Sequence, residues 1–198
     1  MRKKQLEMRL QGLEQLASPI PALEQYATPA VVAADMIWEA YAAGDIAGKA
    51  VADLGCGNGI LGIGAKLLDA AKVFGIDVDP MAIRVAEKNA ASLSLDIDFR
   101  EGDIRKAEGV FDTVLMNPPF GAQKRRADRP FVEKALELAP RAYSLHNAGT
   151  EDFLDKLARS LGARTVSLKK YKFEIPFAFE FHRKATEAIS VVLLRYDR

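Results

Sequence analysis

Apolar residues first recur at helical spacing. Leu6, Leu10, Leu13 and Leu16 lie three or four positions apart, with Arg2, Lys3, Lys4 and Arg9 around them. That period predicts an amphipathic helix over residues 1–17, ended by Ser18, Pro19 and Pro21. A second helix is expected from Pro29 through Met36 and Trp38 to about Ala43, with Thr28 as its cap and Pro29 as its first residue. Short apolar runs then alternate with helical patterns. Val51–Leu54, Lys72–Asp77 and Phe111–Met116 read as buried strands, and the alternating Leu95, Ile97 and Phe99 as another. Helices are expected from Ile60, over Met81–Ala91, Phe131–Leu138 and Glu151–Leu161. Arg141–Leu145 gives a fifth strand, and Thr165–Phe173 with Ala188–Tyr196 a closing antiparallel pair. Strands alternating with helices, then a hairpin, predict an α/β doubly wound fold: a seven-stranded, mostly parallel sheet with an antiparallel C-terminal hairpin. The 198 residues suit one such core and are too few for two, so 1–198 reads as one domain with 1–22 as a helical extension.

Composition narrows the setting. No apolar run is long enough to span a bilayer, and the charged N-terminal stretch is unlike a secretory signal. One cysteine, Cys56, forbids an internal disulfide and, with two histidines, leaves no expected metal site. The cytoplasm is the natural compartment. A formal net charge of +1 means that any nucleic acid must be met by local basic clusters.

Two stretches carry the chemistry. Asn117-Pro118-Pro119-Phe120 follows a buried strand. Paired prolines can neither extend a sheet nor enter a helix normally, so they set a stiff loop at the strand's carboxyl end, where open α/β sheets bind ligands. The Asn117 amide oxygen and the Pro118 carbonyl can accept two hydrogens from one exocyclic amine, while Phe120 stacks on its ring. The second stretch is Asp53-Leu54-Gly55-Cys56-Gly57-Asn58-Gly59, a strand running into a glycine turn and a helix. Asp77, at the next strand's end, is spaced from that turn as a ribose acid would be. Asp103 is either an acceptor for an adenine amino group or a helix cap. Lys124, Arg125 and Arg126 sit in a polar loop beside the aromatic ring, and His182, Arg183 and Lys184 lie between the last two strands. Both clusters are candidates for phosphate contact, and His182 is also read as a hydrogen-bonded loop histidine.

A glycine turn with a ribose acid fits a nicotinamide enzyme or a methyl-transfer enzyme, but no residues remain for the substrate domain a dinucleotide enzyme usually has. With Asp53 before the glycines and Asn-Pro-Pro-Phe after the fourth strand, the chain resembles a Rossmann-like class I methyltransferase. Leu23-Glu24-Gln25-Tyr26, Thr28, Tyr143-Ser144-Leu145-His146 and Phe181-His182 extend the likeness over nearly the whole chain. They resemble the methyltransferase-like-five family, adenine N6-methyltransferases of small-subunit ribosomal RNA with archaeal members. The resemblance implies S-adenosyl-L-methionine as cofactor. Gly55, Asn58 and Ile60 would line its methionine and ribose part, Asp53 its amino group, Asp77 the ribose, and Asp103 with Ile104 the adenine. Gln25 and Thr28 would close over it. Asn117, Pro118, Pro119 and Phe120 would grip the flipped base. It also implies a small zinc-binding activator subunit at the edge formed by the third strand. Other acceptors, guanine N2 of RNA or a protein glutamine amide, stay open on the motif alone, as does an RNA-binding assembly factor with a vestigial cofactor site.

Overall fold

The computed structural model describes residues 1–120, 126–176 and 186–198. Seven strands form one sheet: β1 (Ala50–Leu54), β2 (Lys72–Asp77), β3 (Asp98–Glu101), β4 (Thr113–Met116), β5 (Arg141–Asn147), β6 (Arg164–Pro176) and β7 (Thr186–Asp197). Their order is β3-β2-β1-β4-β5-β7-β6, parallel through β5, with β7 antiparallel to both of its neighbours. The expected fold class is therefore the observed one.

Helices cover both faces. On one lie α1 (Lys3–Gln11), α2 (Ala30–Ala42), α3 (Ile60–Leu67) and α4 (Pro80–Ser92), around a core holding Leu6, Leu10, Ile37, Ile63, Val73 and Leu115. On the other, α5 (Arg129–Leu138) and α6 (Glu151–Ser160) pack over Leu54, Val114, Met116, Leu136, Leu157 and Tyr196. Because helices cover both faces, β1 and β4 are buried at nearly every residue and show no alternation. Among the described residues no helix is long and apolar enough to cross a membrane.

The sheet's winding direction changes at β1, which pairs with β2 on one side and β4 on the other. Leu54 is level with both Ile76 and Met116. Gly55, Asp77 and Asn117 thus leave the sheet side by side at this switch point, where such folds bind ligands. The β2–β3 pairing needs a glycine: Gly75 is opposite Phe99, and a Cβ on Gly75 would lie 2.4 Å from the Phe99 ring.

Several boundaries differ from expectation. The first helix stops at Gln11, because Gly12 ends it and residues beyond turn away to other partners. Thr28 is not a cap; Pro29 holds the N-cap position of α2, and the Thr28 hydroxyl is used elsewhere. The third strand is only Asp98–Glu101; Leu95 and Ile97 precede it, half-buried against the core. Phe111 precedes β4, its N–H donating to the Leu138 carbonyl at 3.1 Å.

Candidate active site

The glycine turn forms because two successive N–H groups share one carbonyl. The N–H groups of Gly55 and Cys56 both donate to Ile76 O, at 2.8 and 3.0 Å, which bends β1 toward β2 at its end. Gly55, Gly57 and Gly59 have φ of 69°, 53° and 84°, in the left-handed region that favours glycine. Asp77 braces the turn, accepting from Gly57 N at 2.8 Å and Asp79 N at 3.0 Å. Burial raises its carboxyl above the usual range, and these N–H groups oppose the rise.

Asp53 is fully buried under the turn. One oxygen accepts from Gly62 N at 2.8 Å; the other has no partner among the described residues. Burial pushes its carboxyl up to about 7; the Gly62 hydrogen bond opposes this and the Asp77 charge adds to it. A buried carboxylate oxygen without a donor is costly unless a ligand supplies one.

The segment after α1 crosses over the turn and is held by amides. Asn89, buried in α4, accepts from Glu14 N at 2.8 Å and donates to Glu14 O and Asn58 O at 3.0 Å each. Asn58 donates to Glu14 O at 3.1 Å and Gln15 Oε1 at 3.3 Å. Farther along, Gln25 accepts from Ile20 N at 2.6 Å and donates to Asp79 Oδ2 at 2.8 Å. Residues 15–28 thus roof a cavity of about 530 Å³, whose floor is the ends of β1, β2 and β4.

At the far side Asn117 donates its amide N–H to Thr28 Oγ1 at 2.8 Å. Its oxygen is buried and has no partner among the described residues. Pro119 lines the cavity, Pro118 is buried, and Phe120 is half-buried against the core.

Likeness to known proteins decides the family. The model of the methyltransferase small domain matches residues 33–174. A zebrafish (Danio rerio) protein named rRNA N(6)-adenosine-methyltransferase METTL5 is 35% identical, over 99% of this chain and 99% of its own. An uncharacterised protein of Methanocaldococcus jannaschii is 39% identical, over 100% of this chain and 95% of its own. The chain belongs to the methyltransferase small-domain family, within its METTL5 group. A solved structure of a candidate RNA methyltransferase from Pyrococcus horikoshii is 41% identical with a TM-score of 0.93, covering 100% of this chain and 98% of its own.

The cofactor of this methyltransferase family is S-adenosyl-L-methionine, and the site fits it. The orphaned Asp53 oxygen is an acceptor for a cationic amine, and the glycine turn leaves room for close approach. All nine residues expected at the cofactor, Gln25, Thr28, Asp53, Gly55, Asn58, Ile60, Asp77, Asp103 and Ile104, line the one cavity. Asp103 also caps the short turn Ile104–Lys106 and pairs with Arg105, whose guanidinium holds its carboxyl at about 2. Asp103 is thus a helix cap that also faces the cavity.

Of the basic residues, Arg126 is described: its guanidinium lies over the Phe153 ring, 4.8 Å from the centroid. Lys124, Arg125, His182, Arg183 and Lys184 lie outside the described residues. Two participants escaped the sequence reading. Phe131 lines the cavity beside Gly55, although its pattern predicted only a helix start. Asn89 had a signal: an amide on the same helix face as Ala82, Ala86 and Ala90 must find a buried partner.

Proposed function

We propose that the protein transfers the methyl group of S-adenosyl-L-methionine to N6 of an adenosine in small-subunit ribosomal RNA. The observation that carries this reading is the Asn117 amide. Thr28 takes its N–H, which leaves its oxygen as a buried free acceptor at the mouth of the cofactor cavity. The Pro118 carbonyl follows on a backbone stiffened by Pro119. Two acceptors side by side suit the two hydrogens of an exocyclic amine and turn its lone pair toward the donor. The METTL5 relatives are named rRNA N(6)-adenosine-methyltransferases, which supports this reading.

The bound cofactor supplies an activated methyl group on a sulfonium. The chain's task is placement, which supports in-line attack without a strong general base. Asp53 would take the amino group, Gly55, Asn58 and Ile60 the methionine and ribose part, Asp77 the ribose side, and Asp103 with Ile104 the adenine. Gln25 and Thr28 would close over it. Phe120, on the acceptor loop, would stack on the flipped adenine. Arg126, with Lys124, Arg125, His182, Arg183 and Lys184, would meet RNA phosphates. A small zinc-binding activator would add a strand at β3, supported by that strand's place at the sheet edge. The reaction belongs in the cytoplasm.

Nucleoside mass spectrometry of small-subunit RNA treated with protein and cofactor tests this. N6-methyladenosine is expected. Methylated guanosine, or RNA left unmodified, would overturn it, and failure to bind the cofactor would favour the RNA-binding assembly factor instead.

A further inference from the structure

The run Tyr143–His146 ends in a histidine that methyl transfer, as read above, does not use. His146 lies in β5, at the same end of the sheet as Asn117, since Met116 pairs with Ser144. Its Nδ1 is 3.2 Å from Asp128 Oδ2 and its Nε2 is 3.0 Å from the Tyr196 hydroxyl. All three side chains are buried. One tautomer satisfies the whole chain: Nδ1–H donates to the carboxylate, and Nε2 accepts the tyrosine O–H. Burial lowers the imidazole's pKa, outweighing the Asp128 carboxylate, so the ring is neutral.

What the chain holds is the start of α5. Asp128 occupies the helix N-cap, yet its side chain caps no N–H; it is given over to His146. Its backbone carbonyl accepts from Phe131 N at 3.1 Å, which ties the aromatic residue directly to the anchored one. The Phe131 ring stands 3.0 Å from where a Gly55 Cβ would be, and it lines the cavity with Gly55, Ala127 and Asn117. Arg126, at φ 62°, stacks on Phe153 and supplies a second anchor just before the helix.

We propose that Asp128, His146 and Tyr196 form a positioning chain that seats Phe131 against the Gly55 turn, as the wall of the cavity where methyl donor and acceptor nitrogen meet. The inference rests on the methyl-transfer reading above. His146 and Tyr196 act through α5 and touch neither reactant.

Single-turnover methylation of small-subunit RNA at saturating cofactor, with calorimetry for the cofactor and hydrogen exchange over 126–132, decides it. His146→Phe should slow transfer about tenfold, the scale of a misplaced wall, while cofactor affinity changes less than about threefold. Tyr196→Phe removes only a hydroxyl and keeps the fold if His146→Phe does not; it should slow transfer roughly threefold and speed exchange at 127–131. Each change combined with Phe131→Ala should be no slower than the slower single variant, because both undo one wall. Multiplying losses in the doubles, or unchanged exchange at 127–131 in Tyr196→Phe, would overturn the proposal. A wild-type protein that binds cofactor but methylates no RNA would instead sink the acceptor reading, while the exchange result still decides whether the chain anchors α5.

Discussion

Asn117 and Thr28, 89 positions apart, meet through one 2.8 Å hydrogen bond from the amide N–H to the hydroxyl. The bond joins the Asn-Pro-Pro-Phe loop to the roof of the cavity and fixes which end of the amide stays free. Asn117→Ala should lower turnover about 10²-fold with near-normal cofactor affinity, the scale of losing one preorganised polar group. Thr28→Val removes the acceptor and leaves the amide free to turn over; a loss of about tenfold is expected. Single-turnover rates beside calorimetry check both. Wild-type rates in Asn117→Ala would reduce the Asn-Pro-Pro-Phe loop to a turn.

Asn89 sits outside the cavity yet holds its roof through three hydrogen bonds to Glu14 and Asn58. Replacing it with Leu keeps the volume and removes all three. Cofactor affinity should fall about tenfold, equivalent to roughly 1.4 kcal/mol, with faster cofactor release and little change in turnover at saturation. Stopped-flow dissociation reads this directly, and an unchanged off-rate would mean that Asn58, with Gln25 and Asp79, holds the roof without it.

How much of the molecule was legible in its sequence follows from range. The Asp53 and Asn117 loops are local: glycines, prolines and a preceding apolar run state their geometry within a few residues. The seven strands and their class followed for the same reason. Partnerships across the chain were not legible. Thr28 before Pro29 looked like a cap, since nothing nearby reveals an amide 89 positions on. Phe131 looked like a helix residue, because its exposure to the cavity depends on how α5 is anchored by His146 in β5. The third strand was drawn too long because Leu95 and Ile97 serve the core without joining the ladder.

Gly75 and Phe99 lock β3 to the sheet. A methyl at Gly75 would lie 2.4 Å from the ring and 3.3 Å from Cys56 Sγ, so Gly75→Ala must displace Phe99. Overpacking of this kind costs about 1–3 kcal/mol, or a melting temperature lower by roughly 3–10 °C for a chain of this size. Adding Phe99→Leu should recover part of it. If thermal denaturation shows the single variant as stable as wild type, the β2–β3 contact is looser than the structure has it.

Asp53 gives a pH dependence with a definite sign. Its folded pKa is raised by burial to about 7, above the ordinary carboxylate value of about 3.9. Between those values the native state holds a proton that the unfolded chain releases, so stability without cofactor should fall as pH rises through this window and level off above it. The gap between the two values bounds the loss at about 4 kcal/mol. A cationic amine on the free oxygen reverses the balance, because it favours the ionised carboxylate. Cofactor affinity should therefore rise with pH up to about 7, by at most roughly tenfold for each step of one in pH. Asp53→Asn, neutral and of the same shape, should flatten most of both trends and leave only what Asp77, also raised by burial, contributes. Thermal melts with and without cofactor at about pH 5.5 and about pH 7.5 suffice. If the variant keeps the wild-type slope, the unpartnered oxygen is not where the amino group binds.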